Sequence, residues 1–108
     1  MVPGKASDLK DIAQRLREFA RERDWEQFHS PKNLAMALSV EVAELLEVFQ
    51  WLTEDESKKL SPEALAAAND EIADVLLYLV SISDKLGIDL ISAATKKLSE
   101  NAKKYPIE

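Results

Sequence analysis

Four carboxylates in two short motifs are the residues of this chain best able to do chemistry. The motifs are Glu41-Val42-Ala43-Glu44 and Glu71-Ile72-Ala73-Asp74. In each motif the two acidic side chains are three positions apart in an apolar, helix-forming run, so they share one helix face. Four convergent carboxylates repel one another unless cations bind between them. Oxygen ligands of this kind select Mg²⁺, Mn²⁺ or Ca²⁺, and we interpret the four as a Mg²⁺ site shared by two packed helices.

The direction in which Glu41 points strengthens this interpretation. On a helical wheel Glu41 falls between Leu34 and Val48, inside the apolar arc, whereas Glu44 lies at its edge and Glu47 points further toward solvent. A carboxylate that faces a core is unfavourable unless it is paired or binds metal. The spacing alone is common on solvated helices. A di-iron bundle site would carry Glu-x-x-His pairs, and an EF-hand its Asp-rich loop, and neither is present.

Composition places the chain among small all-α domains. It has 108 residues, only 2 glycines, and is rich in the helix formers Ala, Leu, Glu and Lys. The net charge of −6 argues against a nucleic-acid polymer or an anionic membrane as partner. No cysteine and a single histidine make a zinc site improbable. No signal-peptide pattern and no membrane-spanning apolar run occur, so we expect a cytoplasmic location.

Capping signals predict four main helices and one short helical turn, arranged as an antiparallel bundle. Residues 1–6 form a flexible terminus and residues 7–106 one domain. The helices run from a Ser7 cap to near Arg23, from Ser30-Pro31 to about Leu52, from Ser61-Pro62 to about Leu86, and from Asp89 to about Lys104; the short turn runs from the Thr53 capping box to about Leu60.

The third main helix is apolar on two sides. Its predicted core stripe includes Leu65, Ala68, Ile72 and Leu79, but Leu77 and other apolar residues cover the opposite side as well. Such a helix is central to its fold or lies at a subunit interface. A chain this short buries a modest core, so oligomerisation is expected.

The connector between the first two helices contains three ring side chains, Trp25, Phe28 and His29. Aromatic residues in such a position usually pack against the end of a bundle, and a lone histidine is more often structural than catalytic. Taken alone, the connector therefore favours packing over ligand binding.

The two acidic motifs resemble the E-x-x-E…E-x-x-D signature of MazG-type, all-α nucleoside triphosphate pyrophosphohydrolases. The segment Arg23–His29 with Asn33-Leu34, the triplet Phe49-Gln50-Trp51 and a tail comprising Lys97, Asn101 and Lys104-Tyr105-Pro106 are similar to the dCTP pyrophosphatase branch. The similarity extends from about Leu9 to Pro106. One departure is Leu16, where vertebrate enzymes of this branch carry a histidine in the base pocket.

The resemblance implies hydrolysis of a nucleoside triphosphate, such as dCTP or modified dCTP, to the monophosphate and pyrophosphate. It implies Mg²⁺, with Mn²⁺ as a possible substitute, held by the catalytic carboxylates Glu41, Glu44, Glu71 and Asp74. It also implies substrate contacts from the base-lining rings, from Lys97 at the phosphates and from other polar side chains: Trp25, His29, Trp51, Tyr78, Lys97, Asn101 and Tyr105. Family members form homodimers or homotetramers.

Trp25 and Trp51 flank a predicted helix about 30 Å long, so a straight path in one subunit hardly brings both rings onto one base. Either the connector folds back along the bundle, or a neighbouring subunit supplies one wall of the base pocket. We favour the second arrangement. The alternatives to dCTP hydrolysis are a pyrophosphatase for dUTP or another noncanonical dNTP, and a non-catalytic helical interaction module. The preferred base, the number of metal ions and the residue that activates water stay open.

Overall fold

A computed structural model describes residues 4–107, and these residues form helices joined by short connections. The elements are α1 (Leu9–Glu22), a 3₁₀ turn (Glu26–Phe28), α2 (Pro31–Phe49), α3 (Glu54–Ser57), α4 (Pro62–Leu86) and α5 (Leu90–Lys104). No strand occurs between residues 4 and 107, which confirms the predicted all-α class. In the same residues, no helix is both long enough and apolar enough to cross a membrane.

Most helix starts follow the predicted capping chemistry. The hydroxyls of Ser30 and Ser61 accept hydrogen bonds from backbone N–H groups in the first turns of α2 and α4. Thr53 and Glu56 form a reciprocal capping box at α3, and the Asp89 carboxylate caps α5. These contacts satisfy donors that have no partner inside the helix.

Three predicted boundaries are wrong. Asp8 rather than Ser7 caps α1, since its carboxylate accepts the Asp11 N–H at 2.8 Å, while the Ser7 N–H donates to the Asp11 carboxylate. Helix α2 ends at Phe49, before the predicted Leu52, and α3 ends at Ser57. Of the terminus predicted to be flexible, residues 1–3 lie outside the described residues. The Gly4 carbonyl accepts a hydrogen bond from the Arg15 guanidinium.

The packing centres on α4, which makes its most extensive contact with α2 and a smaller one with α1. The buried apolar residues are few: Ala20, Leu34, Ala68 and Val80. The predicted core stripe of α4 is only partly buried in a single chain: Ala68 is buried, whereas Leu65 and Ile72 on the same stripe are exposed. The reason is that α1 and α2 cover only part of the circumference of α4, and no other element in residues 4–107 makes an extensive contact with it.

The chain is open for its size. Its radius of gyration is 16.8 Å, against about 13 Å for a compact domain of this length. Its accessible surface is 8807 Å², whereas a folded monomer of this mass exposes on the order of 6,000 Å². Helix α5 contributes to the difference, since every residue from Ile91 to Lys104 is exposed.

Candidate active site

Three of the four predicted carboxylates meet where α2 packs on α4. Carboxylate oxygens of Glu41, Glu44 and Glu71 lie within 4.8 Å of one another. The helix period puts Glu41 and Glu44, three residues apart, on one face of α2. Glu71 lies close to them because α4 packs on that helix. The packing of the two helices therefore assembles an acidic cluster, defined here by these three residues.

The acidic cluster is electrostatically incomplete. Glu41 and Glu71 are half-buried, and one carboxylate oxygen of each, Oε2, is buried without a hydrogen-bond partner. Burial, together with Glu41 and Glu44 beside it, raises the pKa of Glu71 from 4.5 to about 7. Buried oxygens without partners are the groups that a hard cation would satisfy. The donor set thus fits a Mg²⁺ or Mn²⁺ ion.

Asp74 takes a different position from the other three acids. It lies about one helical turn after Glu71 on α4 and lines a neighbouring pocket of about 340 Å³ between α1, the 3₁₀ turn and α4. We call this the aromatic pocket. Tyr78, one turn beyond Asp74, also lines it. The pocket and the acidic cluster therefore adjoin on successive turns of α4, and the pocket has the size of a small-molecule site.

The aromatic pocket brings together two of the predicted ring residues, Trp25 and His29. The Trp25 ring packs edge-on against Phe19, with centroids 5.6 Å apart, and against His29 at 6.4 Å. Trp25 is 44% exposed as a residue, so it is packed only in part and leaves area for a ligand. Leu16 lines the same pocket.

Four predicted substrate residues lie apart from this pocket. Trp51 follows α2 and is 87% exposed. The other three, on α5 and at its end, are also exposed: Lys97, Asn101 and Tyr105. None of the four lines the aromatic pocket. Within residues 4–107 of one chain, the predicted substrate residues are thus divided between a formed pocket and an exposed surface.

The sequence interpretation missed several polar residues of the pocket. Ser81 and Lys85 continue the α4 face of Asp74 at helical spacing, and an ion pair of 2.7 Å joins Arg17 of α1 to Asp84 of α4. Helical periodicity from Asp74 could have found the α4 residues. No sequence signal could have found Arg17, because its role depends on how α1 packs against α4.

The chain resembles several known proteins in sequence. Residues 36–108 match the model of the MazG-like family. The chain is 47% identical over 112 residues to human dCTP pyrophosphatase 1, covering 97% of this chain and 66% of the human protein. It is 45% identical over 101 residues to the bovine protein of the same name, covering 92% and 60%. It therefore spans less than two thirds of the length of these curated relatives.

The fold also matches a solved structure. The crystal structure of a pyrophosphatase from Archaeoglobus fulgidus superposes with a TM-score of 0.87 at 39% sequence identity. The match covers 99% of this chain and 100% of the archaeal one. The likeness thus extends over the whole helical arrangement, including α5.

Proposed function

The chain belongs to the MazG-like family, and from that premise we propose that it hydrolyses dCTP, or a modified dCTP, to the monophosphate and pyrophosphate. The observation that carries the proposal is the acidic cluster beside the aromatic pocket. The cluster supplies oxygen ligands, and the pocket supplies a stacking surface on the adjoining turns of α4. The names of the curated relatives and of the archaeal structure support this reaction.

The metal ligands in this proposal are Glu41, Glu44 and Glu71, with Asp74 as a fourth. A bound Mg²⁺ or Mn²⁺ would neutralise triphosphate charge and lower the pKa of a coordinated water. Because the pKa of Glu71 is raised to about 7, this carboxyl carries a proton in part of the metal-free molecules at neutral pH. Metal binding would release that proton, because only the ionised carboxylate is a ligand.

The base is proposed to lie in the aromatic pocket. Trp25 offers a ring face for stacking, which is tolerant of base identity because every base has a π surface. His29 and Tyr78 supply polar edges on the pocket wall. Asp74 lines this pocket and lies about one helical turn from Glu71, so a nucleotide can place its base and its phosphates on adjoining turns of α4.

The remaining predicted contacts are proposed to act across a subunit interface. Trp51, Lys97, Asn101 and Tyr105 are exposed and lie outside the pocket of their own chain. The surface in excess of a compact monomer, roughly 2,800 Å², is in the range buried by obligate oligomers. We therefore assign a homo-oligomer, a dimer or a tetramer, in which a second copy covers the apolar residues of α4 and α5.

A second candidate substrate follows from one residue. Leu16 lines the aromatic pocket, and an isobutyl side chain offers no hydrogen bond to a base edge. The family resemblance implies a histidine at this place in the vertebrate enzymes of the branch. A pyrophosphatase for dUTP or another noncanonical dNTP is therefore the alternative to dCTP.

The decisive experiment is product analysis over a panel of dNTPs with Mg²⁺ in ¹⁸O-labelled water. The panel includes dCTP, 5-modified dCTPs, dUTP and the canonical dNTPs. We expect monophosphate and pyrophosphate as products, with the label in the monophosphate and the highest kcat/KM for a dCTP. A labelled orthophosphate with a diphosphate would mean a different phosphatase chemistry. Undiminished turnover in EDTA would contradict the metal assignment, and no turnover at all would favour the interaction module.

A further inference from the structure

The end of α1 adopts a backbone conformation that residues with side chains seldom take, and it leads directly into the aromatic pocket. Asp24 has a φ of 56° and is the only residue other than glycine with a positive φ among residues 4–107. This left-handed region is unfavourable for most L residues, although Asp and Asn tolerate it better than others. The next residue along the chain is Trp25.

Two backbone hydrogen bonds depend on this conformation. The Asp24 N–H donates to the Arg21 carbonyl at 3.1 Å, and the Trp25 N–H donates to the Ala20 carbonyl at 2.8 Å. Together they form a Schellman motif, in which a left-handed residue turns the chain back over the helix end. The apolar contact that accompanies this motif is the packing of Trp25 on Phe19. The φ of Asp24 therefore sets the direction in which Trp25 leaves the helix.

The loop after Asp24 is held at further points. The side-chain amide of Gln27 donates to the Asp24 carbonyl at 3.1 Å, and that of Asn33 donates to the Phe28 carbonyl at 3.0 Å. Unfavourable backbone conformations persist where surrounding contacts hold them, and they cluster at functional sites. Here the contacts surround the residue that supplies the ring of the pocket.

The same motif occurs at the end of α4 with the residue that fits it best. Gly87 has a φ of 68°, the Ile88 N–H donates to the Ser83 carbonyl at 2.9 Å, and the Gly87 N–H donates to the Asp84 carbonyl at 3.3 Å. A Cβ at Gly87 would meet nothing within 4 Å, so a substitution there changes only the backbone preference. The motif at Gly87 leads to Ile88 and away from the aromatic pocket, which makes it a matched control for Asp24.

We propose that Asp24 is a positioning residue: its left-handed conformation aims Trp25 into the aromatic pocket and sets the stacking surface for the substrate base. The stacking of the substrate base on Trp25 rests on the proposed function. The orientation of Trp25 does not, because it is a property of the chain itself. Asp24 acts through Trp25, since it does not itself line the pocket. Any residue that tolerates a positive φ can serve, and a β-branched residue cannot.

The test is a series at position 24 in a Trp51→Phe background, where Trp25 is the only tryptophan. The variants are Asp24→Gly, Asp24→Asn, Asp24→Ala and Asp24→Val, with Gly87→Asp as control. The four substitutions at position 24 remove the same negative charge. They differ from one another in how well the new residue tolerates a positive φ. Trp25 emission and near-ultraviolet circular dichroism are recorded without substrate, and KM and kcat for dCTP are measured with Mg²⁺.

We expect Gly and Asn at position 24 to keep the Trp25 spectrum and KM. Val should shift the emission to longer wavelength and raise KM about tenfold, within the range for loss of base stacking, while kcat changes little. Ala should fall between them, and it replaces Val as the deciding variant if Val does not fold. Gly87→Asp should lower Tm and leave the Trp25 spectrum unchanged.

Two outcomes would overturn the inference. One is a folded Val variant with an unchanged Trp25 spectrum and KM, which would make Asp24 a stability residue only. The other is a Gly variant as impaired as Val, which would mean that the carboxylate itself acts. The Trp25 spectrum could also change across the variants in the order of their tolerance of a positive φ, in a protein that does not hydrolyse dCTP. That result would support the positioning role and contradict the proposed function.

Discussion

The acidic cluster and helix α5 differ in how far a single chain surrounds their polar side chains with other residues. The cluster joins α2 to α4, its oxygens lie within 4.8 Å of one another, and two of them are buried. Helix α5 carries Lys97 and Asn101 on a surface that no other element of residues 4–107 covers extensively. The first region can bind a cation within a single chain. The second region presents its polar side chains to solvent.

The difference follows from packing. Helices α2 and α4 contact each other along their lengths, so side chains on their facing stripes must meet. Helix α5 begins after the left-handed turn at Gly87 and leaves the α1–α2–α4 unit. A helix of this length gains most of its stability from packing its apolar face. The exposed Ile91 and Leu98 of α5 therefore favour a second copy as the covering surface.

The largest expected effect is on the cluster itself. Glu41→Gln keeps the shape of the side chain but removes an anionic ligand whose Oε2 is buried without a hydrogen-bond partner. Loss of outer-shell groups lowers metal affinity or activity about 10–100-fold, so we expect loss of a direct ligand to lower kcat/KM at least about 100-fold. Asp74→Asn should also lose most activity. Helix content by circular dichroism should persist in both variants.

Glu47→Gln is the matched control for Glu41→Gln, because Glu47 lies on the exposed side of the same helix. It should leave kcat/KM near the wild-type value. Mg²⁺ should raise Tm in the wild type and in this control but not in Glu41→Gln, since the ion binds only the folded site. Near-wild-type activity of both Glu41→Gln and Asp74→Asn would place the catalytic site elsewhere.

The second effect tests whether the exposed residues complete a neighbour's site. Trp51→Ala should raise KM for dCTP, by a stacking loss of about 1–3 kcal/mol per base, and leave Mg²⁺ affinity nearly unchanged. Trp25 lies in one pocket with Asp74 of its own chain, whereas Trp51 does not. Co-purified heterodimers of Glu41→Gln with Trp51→Ala should therefore recover about half the wild-type activity, because one of two symmetric sites is whole.

Heterodimers of Glu41→Gln with Trp25→Ala provide the contrast. Trp25 and the carboxylates belong to the same chain, so both sites stay defective and activity should not recover. Recovery in neither pairing would mean that one chain builds the entire base pocket. Recovery in the Trp25 pairing alone would reverse the assignment of the two tryptophans.

A third effect compares a core leucine with an α5 leucine. Leu34 is 2% exposed, and Leu34→Ala should destabilise the fold by about 2–5 kcal/mol through lost burial and a cavity. Leu98 is 71% exposed in the single chain, and substitutions at solvated positions change stability within about 0.5 kcal/mol. We expect Leu98→Ala instead to weaken the oligomer.

Sedimentation velocity across a dilution series measures that weakening, with the exposed Lys103→Ala on the same helix as control. Leu98→Ala should dissociate at a higher protein concentration than the wild type, and Lys103→Ala should not. Identical dissociation of all three proteins would show that α5 stays solvated in the assembly. It would contradict the inference that a second copy covers this helix.

The smallest effect is the pH dependence of the metal-free chain. The pKa of Glu71 is raised to about 7, so its protonated form favours the fold. Its contribution to stability is therefore complete below about 4.5 and is lost as the pH rises through 7. In EDTA, Tm should fall between pH 5 and pH 8. Glu71→Gln should flatten this slope, because the amide stays neutral.

Asp70→Asn, at an exposed position next to Glu71, is the control and should keep the wild-type slope. The stabilisation by Mg²⁺ should increase as the pH rises, because the affinity for the ion rises as Glu71 loses its proton. A Tm profile of Glu71→Gln that matches the wild type across this range would contradict the raised pKa and the closeness of the three carboxylates.

Local signals in the sequence were enough to predict the helices and the inward position of Glu41. Caps such as Ser30-Pro31 and Ser61-Pro62 act on neighbouring residues, and the helix period relates Glu41 to Glu44 without knowledge of the rest of the chain. The resemblance to the MazG-type enzymes depended on the same local motifs. Boundary errors of a few residues, as at Leu52, reflect competing turns whose free energies are similar.

The contacts between distant residues could be learned from the folded chain alone. It placed Trp25 and His29 beside Asp74, joined Arg17 to Asp84, and left Ile72 and all but the first residue of α5 exposed. These outcomes depend on contacts between residues far apart in the chain, which are set by how helices pack and by what surface remains uncovered. A hydrophobic stripe shows that a residue will be buried, but whether its own chain or a second copy buries it is a property of the assembled fold.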